Sequence, residues 1–551
     1  MCFVVMHLMI TKRKYKGRII EHAKIVESYR ENGKTPRKRT IFNLGTIKNE
    51  EDRVKFKQIL NSIKEGNEFV NVKDLNIESS KEFGVTYTIN KLLEKYGIQE
   101  ILQEELTKNK AQFNIFGIIK ALIINRLIKP SSDLSAYDWM KNDYSEKLDV
   151  KEHQVYRALD YFIERKDNIE KKIFESLKTK LNLNTDLIHY DLTSSYFEGL
   201  KCEIAFYGHS RDHRKDRKQI VIGLVMCDGI PIYHEVYEGN TLDKSTLKGM
   251  INNLKEKLGI KKAAIVADRG LITEGNLEML EDEEYNFVLG FQRRNNKISK
   301  EYLVREINTE QQQFAIEVDK ETIKRNNKEY VRRYILCLDQ NTKKDRLRNL
   351  EEIKNNLDLK LMELKDKYSK SQLNKKGKKM TKESLILQAF KIAGKNKRLF
   401  EIKEDNGLKF SFKKESYEYE KNIAGKFLIV TNTEKSAIEI MKTYKELQIV
   451  ENAFDEIKNF LDVRPLEHHK KSRVKAHVFV CVLGFLIESI IEKFSKESAR
   501  KTLRKLERIK MIEIKIKGND KKMLTMEALI EVKGIFKEIR IKEPSLLDCS
   551  C

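Results

Sequence analysis

The stretch LIHYDLTSSYFEG, residues 187–199, sets a carboxylate, Asp191, in the middle of a run of aliphatic, aromatic and β-branched residues. Such a run predicts a β-strand. Side chains along a strand alternate between its two faces, so Ile188, Tyr190 and Leu192 pack one side while Asp191 projects from the other. An ionised carboxylate in that setting is costly unless a cation or hydrogen-bond donors meet it.

The residues that follow build a small α/β pattern. QIVIGLVMCDGIPIYHEVYEGN (219–240) predicts two strands about an Asp228-Gly229 turn, and STLKGMINNLKEKLG (245–259) a helix. KKAAIVADRG (261–270) is a further strand that ends in Asp268. The order is therefore strand, strand, strand, helix, strand. Carboxylates at neighbouring strand positions repel each other unless a cation lies between them, and hard oxygen ligands suit Mg²⁺ or Mn²⁺. On these two residues alone, one hydrogen-bonded interior acid and one helix cap explain the pattern equally well.

A third acid shifts the balance. In YKELQIVENAFDEIKNFLDVRP (444–465), Tyr444, Leu447, Glu451 and Lys458 are offset by 3, 7 and 14 residues. At about 100° per residue they share one narrow face of a long helix, expected from about Ser436, where Ser436 and Glu439 have capping-box spacing. Leu447, Val450, Phe454 and Leu461 lie on or beside that face, so Glu451 is expected near a core rather than on a solvated stripe.

With this spacing the chain resembles bacterial insertion-sequence DDE transposases of the ribonuclease H-like fold, in the branch marked by a Tyr-x2-Arg-x3-Glu-x6-Lys signature. Tyr444, Glu451 and Lys458 occupy three of the four signature positions, and Leu447 stands where the family has Arg. HYDLTSSYFEG, YGHSRDHRKDRKQIVIGLV, EGNTLDKSTL, VADRG and RPLEHHKKSRVKAHVFVCVLGFLI are similar to the family's other blocks. The likeness covers about residues 187–290 and 425–490, and is weaker near the amino end. It implies a metal-binding catalytic triad of Asp191, Asp268 and Glu451 holding two Mg²⁺ or Mn²⁺ ions. Such ions, about 3.5–4 Å apart, clamp the attacking and leaving oxygens of an in-line phosphoryl displacement. Tyr444 and Lys458 are implied phosphate contacts. The absent signature Arg leaves Lys445, Arg464 or Lys458 to compensate.

Charge supports a polyanionic partner. The 551 residues hold 108 Lys and Arg against 84 Asp and Glu, a formal charge of +24. Nucleic acid is the first expectation, with an AT-rich genome that encodes Lys cheaply as the bland alternative. The loop GHSRDHRKDRKQ (208–219) puts Arg211, Arg214, Arg217 and Lys218 beside the Asp191 strand, where they would bind DNA backbone phosphates. Arg269, next to Asp268, is a further phosphate contact. His209 and His213 lack a third ligand for zinc, and His468 and His469 are expected at the surface or facing DNA. Trp139 is expected in the core.

Seven scattered cysteines without a CxxC pair fit a reducing compartment and neither a disulfide framework nor a zinc site. MCFVVMHLMI at the start suits a first strand rather than a signal peptide, and VFVCVLGFLIESII from Val478 is a buried helix too short to span a membrane. The expected location is cytoplasmic, nucleoid-associated when on DNA, with no membrane partner.

The expected fold class is α/β, a ribonuclease H-like mixed-sheet catalytic core with an inserted α+β subdomain. Residues 1–80 would form a basic β-hairpin DNA-binding region, with an Asn-Gly turn in AKIVESYRENGKTPRKRTIFNLG, and 81–185 a helical domain. The core would comprise 186–290 and 425–492, interrupted by a subdomain at 291–424. In that subdomain FAIEV and YILCLDQ flank a charged helix whose Leu347, Leu350, Ile353, Leu357, Leu361 and Leu364 form a packing seam. Residues 493–551 would be a basic C-terminal region. The expected function is a Mg²⁺-dependent transposase acting as a homodimer on double-stranded DNA, both terminal inverted repeats and target. The alternatives are a metal-dependent nuclease of the same fold and a DNA-binding derivative that has lost its chemistry.

Overall fold

The computed structural model describes residues 5–15, 17–29, 35–65, 75–108, 111–199, 201–291, 297–373, 379–404, 408–464, 466–516 and 519–545. The chain divides into two units, one of residues 1–80 with 512–523 and one of 81–511 with 524–551.

The first unit opens with three antiparallel strands, β1 (Val5–Tyr15), β2 (Arg18–Tyr29) and β3 (Arg37–Ile47), in sequential order. Helix α1 (Glu50–Lys64) follows; Asn49 caps it by accepting the Asp52 amide, and three acids fill its first turn, where the helix dipole favours them. β2 and β3 pair as the sequence predicts, and β1 is the expected first strand, but the Asn32-Gly33 turn lies outside the described residues. The unit also contains residues of a second three-stranded sheet, formed with β4 (Leu75–Glu82) and two strands near the carboxyl end.

The second unit begins with six helices, α2 (Gly84–Lys95), α3 (Ile98–Thr107), α4 (Ile115–Ile128), α5 (Asp133–Asn142), α6 (Glu152–Glu164) and α7 (Lys166–Lys180). α4 is apolar all round, as IFGIIKALIINRLI requires, and is buried on nearly every side. Trp139 is core, against Tyr144.

The sheet then starts with the three antiparallel strands β5 (Leu187–Tyr196), β6 (Gln219–Cys227) and β7 (Ile230–Glu238). Asp228 and Gly229 form the tight β6–β7 turn, both at positive φ, a conformation Gly adopts without strain. After α8 (Leu247–Glu256) comes β8 (Ala264–Ala267), parallel to β5; after α9 (Glu274–Asp282) comes β9 (Asn286–Gly290), parallel to β8. Numbering these five strands in chain order, their spatial order is 5-4-1-2-3, three antiparallel and two parallel, which is the ribonuclease H-like arrangement.

Residues 291–424 behave differently from a wholly separate insertion. After α10 (Lys297–Leu303), strands β10 (Gln313–Arg325) and β11 (Lys328–Asp339) pair with each other and extend the core sheet, giving the order β10-β11-β14-β9-β8-β5-β6-β7. Both precede the charged helix α11 (Gln340–Leu373) rather than flanking it. α11 packs on α12 (Lys382–Ala393), and beyond them lie the hairpin of β12 (Phe400–Glu404) and β13 (Leu408–Phe412) and helix α13 (Lys414–Asn422). Leu350, Leu357, Leu361 and Leu364 of the predicted seam bury against Leu385, Ala389 and Phe400 in a small core of their own. Strand β14 (Lys426–Thr431) then returns the chain to the main sheet, between β11 and β9.

Two helices replace the single long one expected from Ser436. α14 (Ala437–Lys445) carries the predicted capping box, Ser436 with Glu439, and α15 (Gln448–Asn459) carries Glu451 and Lys458. Between them the backbone tightens to three-residue spacing: Leu447 donates to Tyr444 O at 3.1 Å and Ile449 to Glu446 O at 2.9 Å. The apolar run from Val478 lies in α16 (Lys471–Phe494), which is buried against α4, α6 and β7. By length and composition that helix could cross a membrane, yet 94% of its apolar window is buried within the protein. The chain closes with α17 (Ala499–Leu506), β15 (Lys510–Ile516), β16 (Asn519–Leu524) and α18 (Met526–Glu538).

Candidate active site

Asp191 is placed by β5 between two neighbours. It pairs across to Leu224 of β6, and the residue before it, Tyr190, pairs with Ala267 of parallel β8. Asp268 is the residue after Ala267, where β8 gives way to a loop, so two carboxylates emerge side by side from adjacent parallel strands. Glu451 lies in the first turn of α15, which packs against β5. All three acids line one cleft of about 360 Å³, together with Arg211, Asp243, Gln448, Asp455 and Lys458.

The electrostatics follow from that crowding. Burial, reinforced by the charges of Asp268 and Glu451, pushes the Asp191 carboxyl up to about 7, against the opposing pull of the Leu192 amide and Arg211. Burial also raises Glu451, with Asp268 and Asp455 adding to it and Gln448 opposing. Crowded oxygen donors, two of them with proton affinity raised by burial and by neighbouring carboxylates, are the donor set a hard divalent cation relieves, so these residues fit Mg²⁺ or Mn²⁺. Asp191, Asp268 and Glu451 would hold it.

Tyr444, on the preceding helix, is brought to the same place. Its hydroxyl donates to Asp268 Oδ1 at 3.2 Å, its ring packs near Phe427, and burial followed by the Asp268 charge raises its pKa. Gly290 at the end of β9 makes room for it: a Cβ there would stand 2.1 Å from the Tyr444 hydroxyl.

The cations predicted to bind phosphate fall into two groups. Arg211 and Lys458 line the cleft, and each is paired: Arg211 with Asp243 at 2.6 Å, Lys458 with Asp212 at 2.8 Å. Arg464 joins Lys458 on Asp212 at 2.9 Å and lies over the Tyr196 ring. Outside the cleft, Arg214 pairs with Asp216 at 2.9 Å and Arg217 with Glu198 at 3.0 Å. Lys218, just before β6, and exposed Arg269 have no ion pair among the described residues. Leu447 is buried in the main core, so the signature Arg has no counterpart at that position. Of the proposed substitutes, Lys445 pairs with Asp339, while Arg464 and Lys458 share Asp212.

Sequence reasoning missed Asp212, Asp243, Gln448 and Asp455. Asp243 was within reach, since EGNTLDKSTL is one of the family-like blocks, and Asp455 and Gln448 lie four and three residues from Glu451 on a helix face. Asp212 had no signal, because an acid inside a basic loop looks solvated.

One expectation is corrected. His468 is not at the surface: its Nε2 is 2.9 Å from Asp133, and its ring packs near Tyr156 and His477. Asp133, His468 and His477 could by geometry hold a metal ion, but Arg126 already stands there, 3.2 Å from Asp133 and 3.5 Å from His477 Nδ1. Burial and Arg126 push His477 down to about 3, so it stays neutral. The cluster is a buried ion-pair network.

Comparisons with known proteins place the chain by family. The family model for the transposase DDE domain matches residues 185–486, and that for the N-terminal domain of IS1634 family transposases matches residues 8–73. No curated protein matches the chain. Among solved structures, a cryo-EM structure of the piggyBac transposase synaptic complex with hairpin DNA aligns at 9% identity and a TM-score of 0.31, over 72% of this chain and 80% of that one.

Proposed function

Because the chain belongs to the insertion-sequence DDE transposases, we propose that Asp191, Asp268 and Glu451 form its metal-binding catalytic centre. There it would cut DNA at the element ends and join the freed ends to target DNA. The observation that carries this reading is the convergence of the three acids in one cleft, with Asp191 pushed up to about 7 by burial and by the other two. Mg²⁺ or Mn²⁺ at that place would supply Lewis-acid stabilisation of the oxygens on phosphorus.

The chain's own groups do the positioning. In the first step a water oxygen attacks the scissile phosphorus, and the bond to the 3′ oxygen breaks to release a 3′-OH. In the second, that hydroxyl attacks a target phosphodiester, so one P–O bond forms as another breaks and no external energy source is required. Tyr444 orients Asp268 through its hydroxyl hydrogen bond. Arg211 and Lys458 set positive charge beside the place where phosphate oxygens develop charge. The exposed Arg37, Lys38 and Arg39 of β3 support DNA contact by the first unit. Two protomers on paired element ends, in the cytoplasm, complete the proposal.

Joining of a pre-cut element end to plasmid DNA with Mg²⁺ tests it. Joined product is expected from the wild type and none from Asp191→Asn, Asp268→Asn or Glu451→Gln, each losing roughly 10³-fold or more while still binding DNA. Cleavage without joining would identify a nuclease; DNA binding without either would identify a derivative that has lost its chemistry.

A further inference from the structure

The basic loop between β5 and β6 contains one acid that does not behave like a surface residue. The Asp212 side chain is only 5% exposed; its Oδ1 accepts from Lys458 Nζ at 2.8 Å and forms an ion pair with Arg464, 2.9 Å from Nη1. Its Oδ2 is buried and has no hydrogen-bond partner among the described residues. Lys458 is nearly as hidden, at 8%. The loop around them is tied to the sheet: Ser194 Oγ on β5 accepts from the Arg211 amide at 2.8 Å, and Gln219 Nε2 on β6 donates to His209 O at 3.3 Å. Next to Asp212, the Arg211 side chain reaches the cleft wall and meets Asp243.

We infer that Asp212 is a positioning residue: its buried carboxylate fixes the Lys458 ammonium at the wall of the three-acid cleft, holds Arg464 beside it, and seats the loop that delivers Arg211. The inference rests on the transposase reading of that cleft.

Charge and burial argue for this role over the alternative, a carboxylate that occupies a phosphate site until DNA expels it. One negative charge against two positive ones leaves a surplus positive charge directed at the cleft, where a phosphodiester would lie. Expelling Asp212 would strip two cations of their shared partner at a site shielded from water, which is strongly unfavourable. Pairs that DNA can exchange are the more exposed ones on the same loop, Arg214 with Asp216 and Arg217 with Glu198. The loop therefore holds Lys458 and Arg464 in place through Asp212 on its cleft side and carries exchangeable cations outside.

The test is the joining assay with full-length Asp212→Asn and Asp212→Glu, alongside Asp191→Asn. Asp212→Asn is expected to join roughly 10- to 100-fold more slowly at saturating DNA, with DNA affinity little changed. Its rate should also fall at a lower alkaline pH than the wild type's, because Asp212 opposes the burial that lowers the Lys458 pKa. Asp212→Glu should restore part of the rate. A wild-type rate with an unchanged pH profile, or a faster rate, overturns the inference. If Asp191→Asn joins normally, the reading of the cleft fails instead.

Amine acylation of the wild-type protein, read by mass spectrometry, gives a check that needs no variant to fold. In the DNA-free protein Lys458 should react at least about tenfold more slowly than exposed Lys215. Equal labelling of the two overturns the inference.

Discussion

Asp191 and Asp268 stand one register position beyond the paired residues Tyr190 and Ala267, on the adjacent parallel strands β5 and β8. Parallel neighbours lie about 4.8 Å apart, so the two backbones bring the carboxylates close enough for the Asp268 charge to raise the Asp191 carboxyl. Glu451 then closes the arrangement from α15. The sheet thus holds repelling charges together, and the consequences are measurable.

Stability should depend on pH through Asp191. Its folded-state carboxyl is raised from 3.8 to about 7, so the native protein keeps a proton that the unfolded chain has released. The sign is therefore destabilising with rising pH: the cost is absent below about 4, grows to about 7 and is complete above it. In metal-free protein Asp191→Asn should remove that cost, raising stability at pH 8 by about 2–4 kcal/mol. Mg²⁺ should raise the melting temperature of the wild type and not of the variant. Equal melting temperatures for the two metal-free proteins at pH 8 would remove the electrostatic argument. Glu488, raised to about 8 by burial and by Glu456, contributes equally to both proteins and cancels in the comparison.

Tyr444 should matter through one hydrogen bond. Tyr444→Phe removes the donor to Asp268 and should slow cleavage by roughly 10-fold, the scale of a hydrogen bond to a charged group. Gly290→Ala should do the same from the other side, since its Cβ would collide with the hydroxyl and push the ring away. Overpacking should also cost Gly290→Ala about 1–3 kcal/mol of stability, measured by chemical denaturation. A Gly290→Ala enzyme with full activity would show that Tyr444 need not touch Asp268.

Salt should separate the two groups of cations. Neutralised phosphates give log affinity a slope of about −0.9 per contact against log salt. Replacing Arg214 and Arg217 together by Ala should flatten that slope by about 1–2, measured by fluorescence anisotropy on an element-end duplex. An unchanged slope would place those arginines away from DNA.

Much of this site was legible in the sequence because its signals are local. An acid in an apolar strand singles out Asp191, a strand ending in Ala-Asp-Arg-Gly singles out Asp268, and helical spacing around an apolar face singles out Glu451 as candidates; the family resemblance joins them into a triad. The Asp228-Gly229 turn and the leucine seam of α11 were legible for the same reason. What escaped depends on distant partners. β10 and β11 alternate like any half-buried pair, and nothing within them says that β11 pairs with β14 in the main sheet. The break at Glu446–Leu447 is invisible to a periodicity that survives it, since Tyr444, Glu451 and Lys458 still converge. His468 and Asp212 looked solvated in their basic surroundings, and only the fold supplies Asp133 to one and Lys458 to the other.

Anomalous diffraction from crystals of the protein with Mn²⁺ and an element-end duplex would test the metal-binding centre most directly. Manganese should appear within about 2.0–2.2 Å of carboxylate oxygens from Asp191, Asp268 and Glu451. Manganese bound at Asp133, His468 and His477 instead, or Glu451 turned away from an ion held by the other two acids, would contradict it.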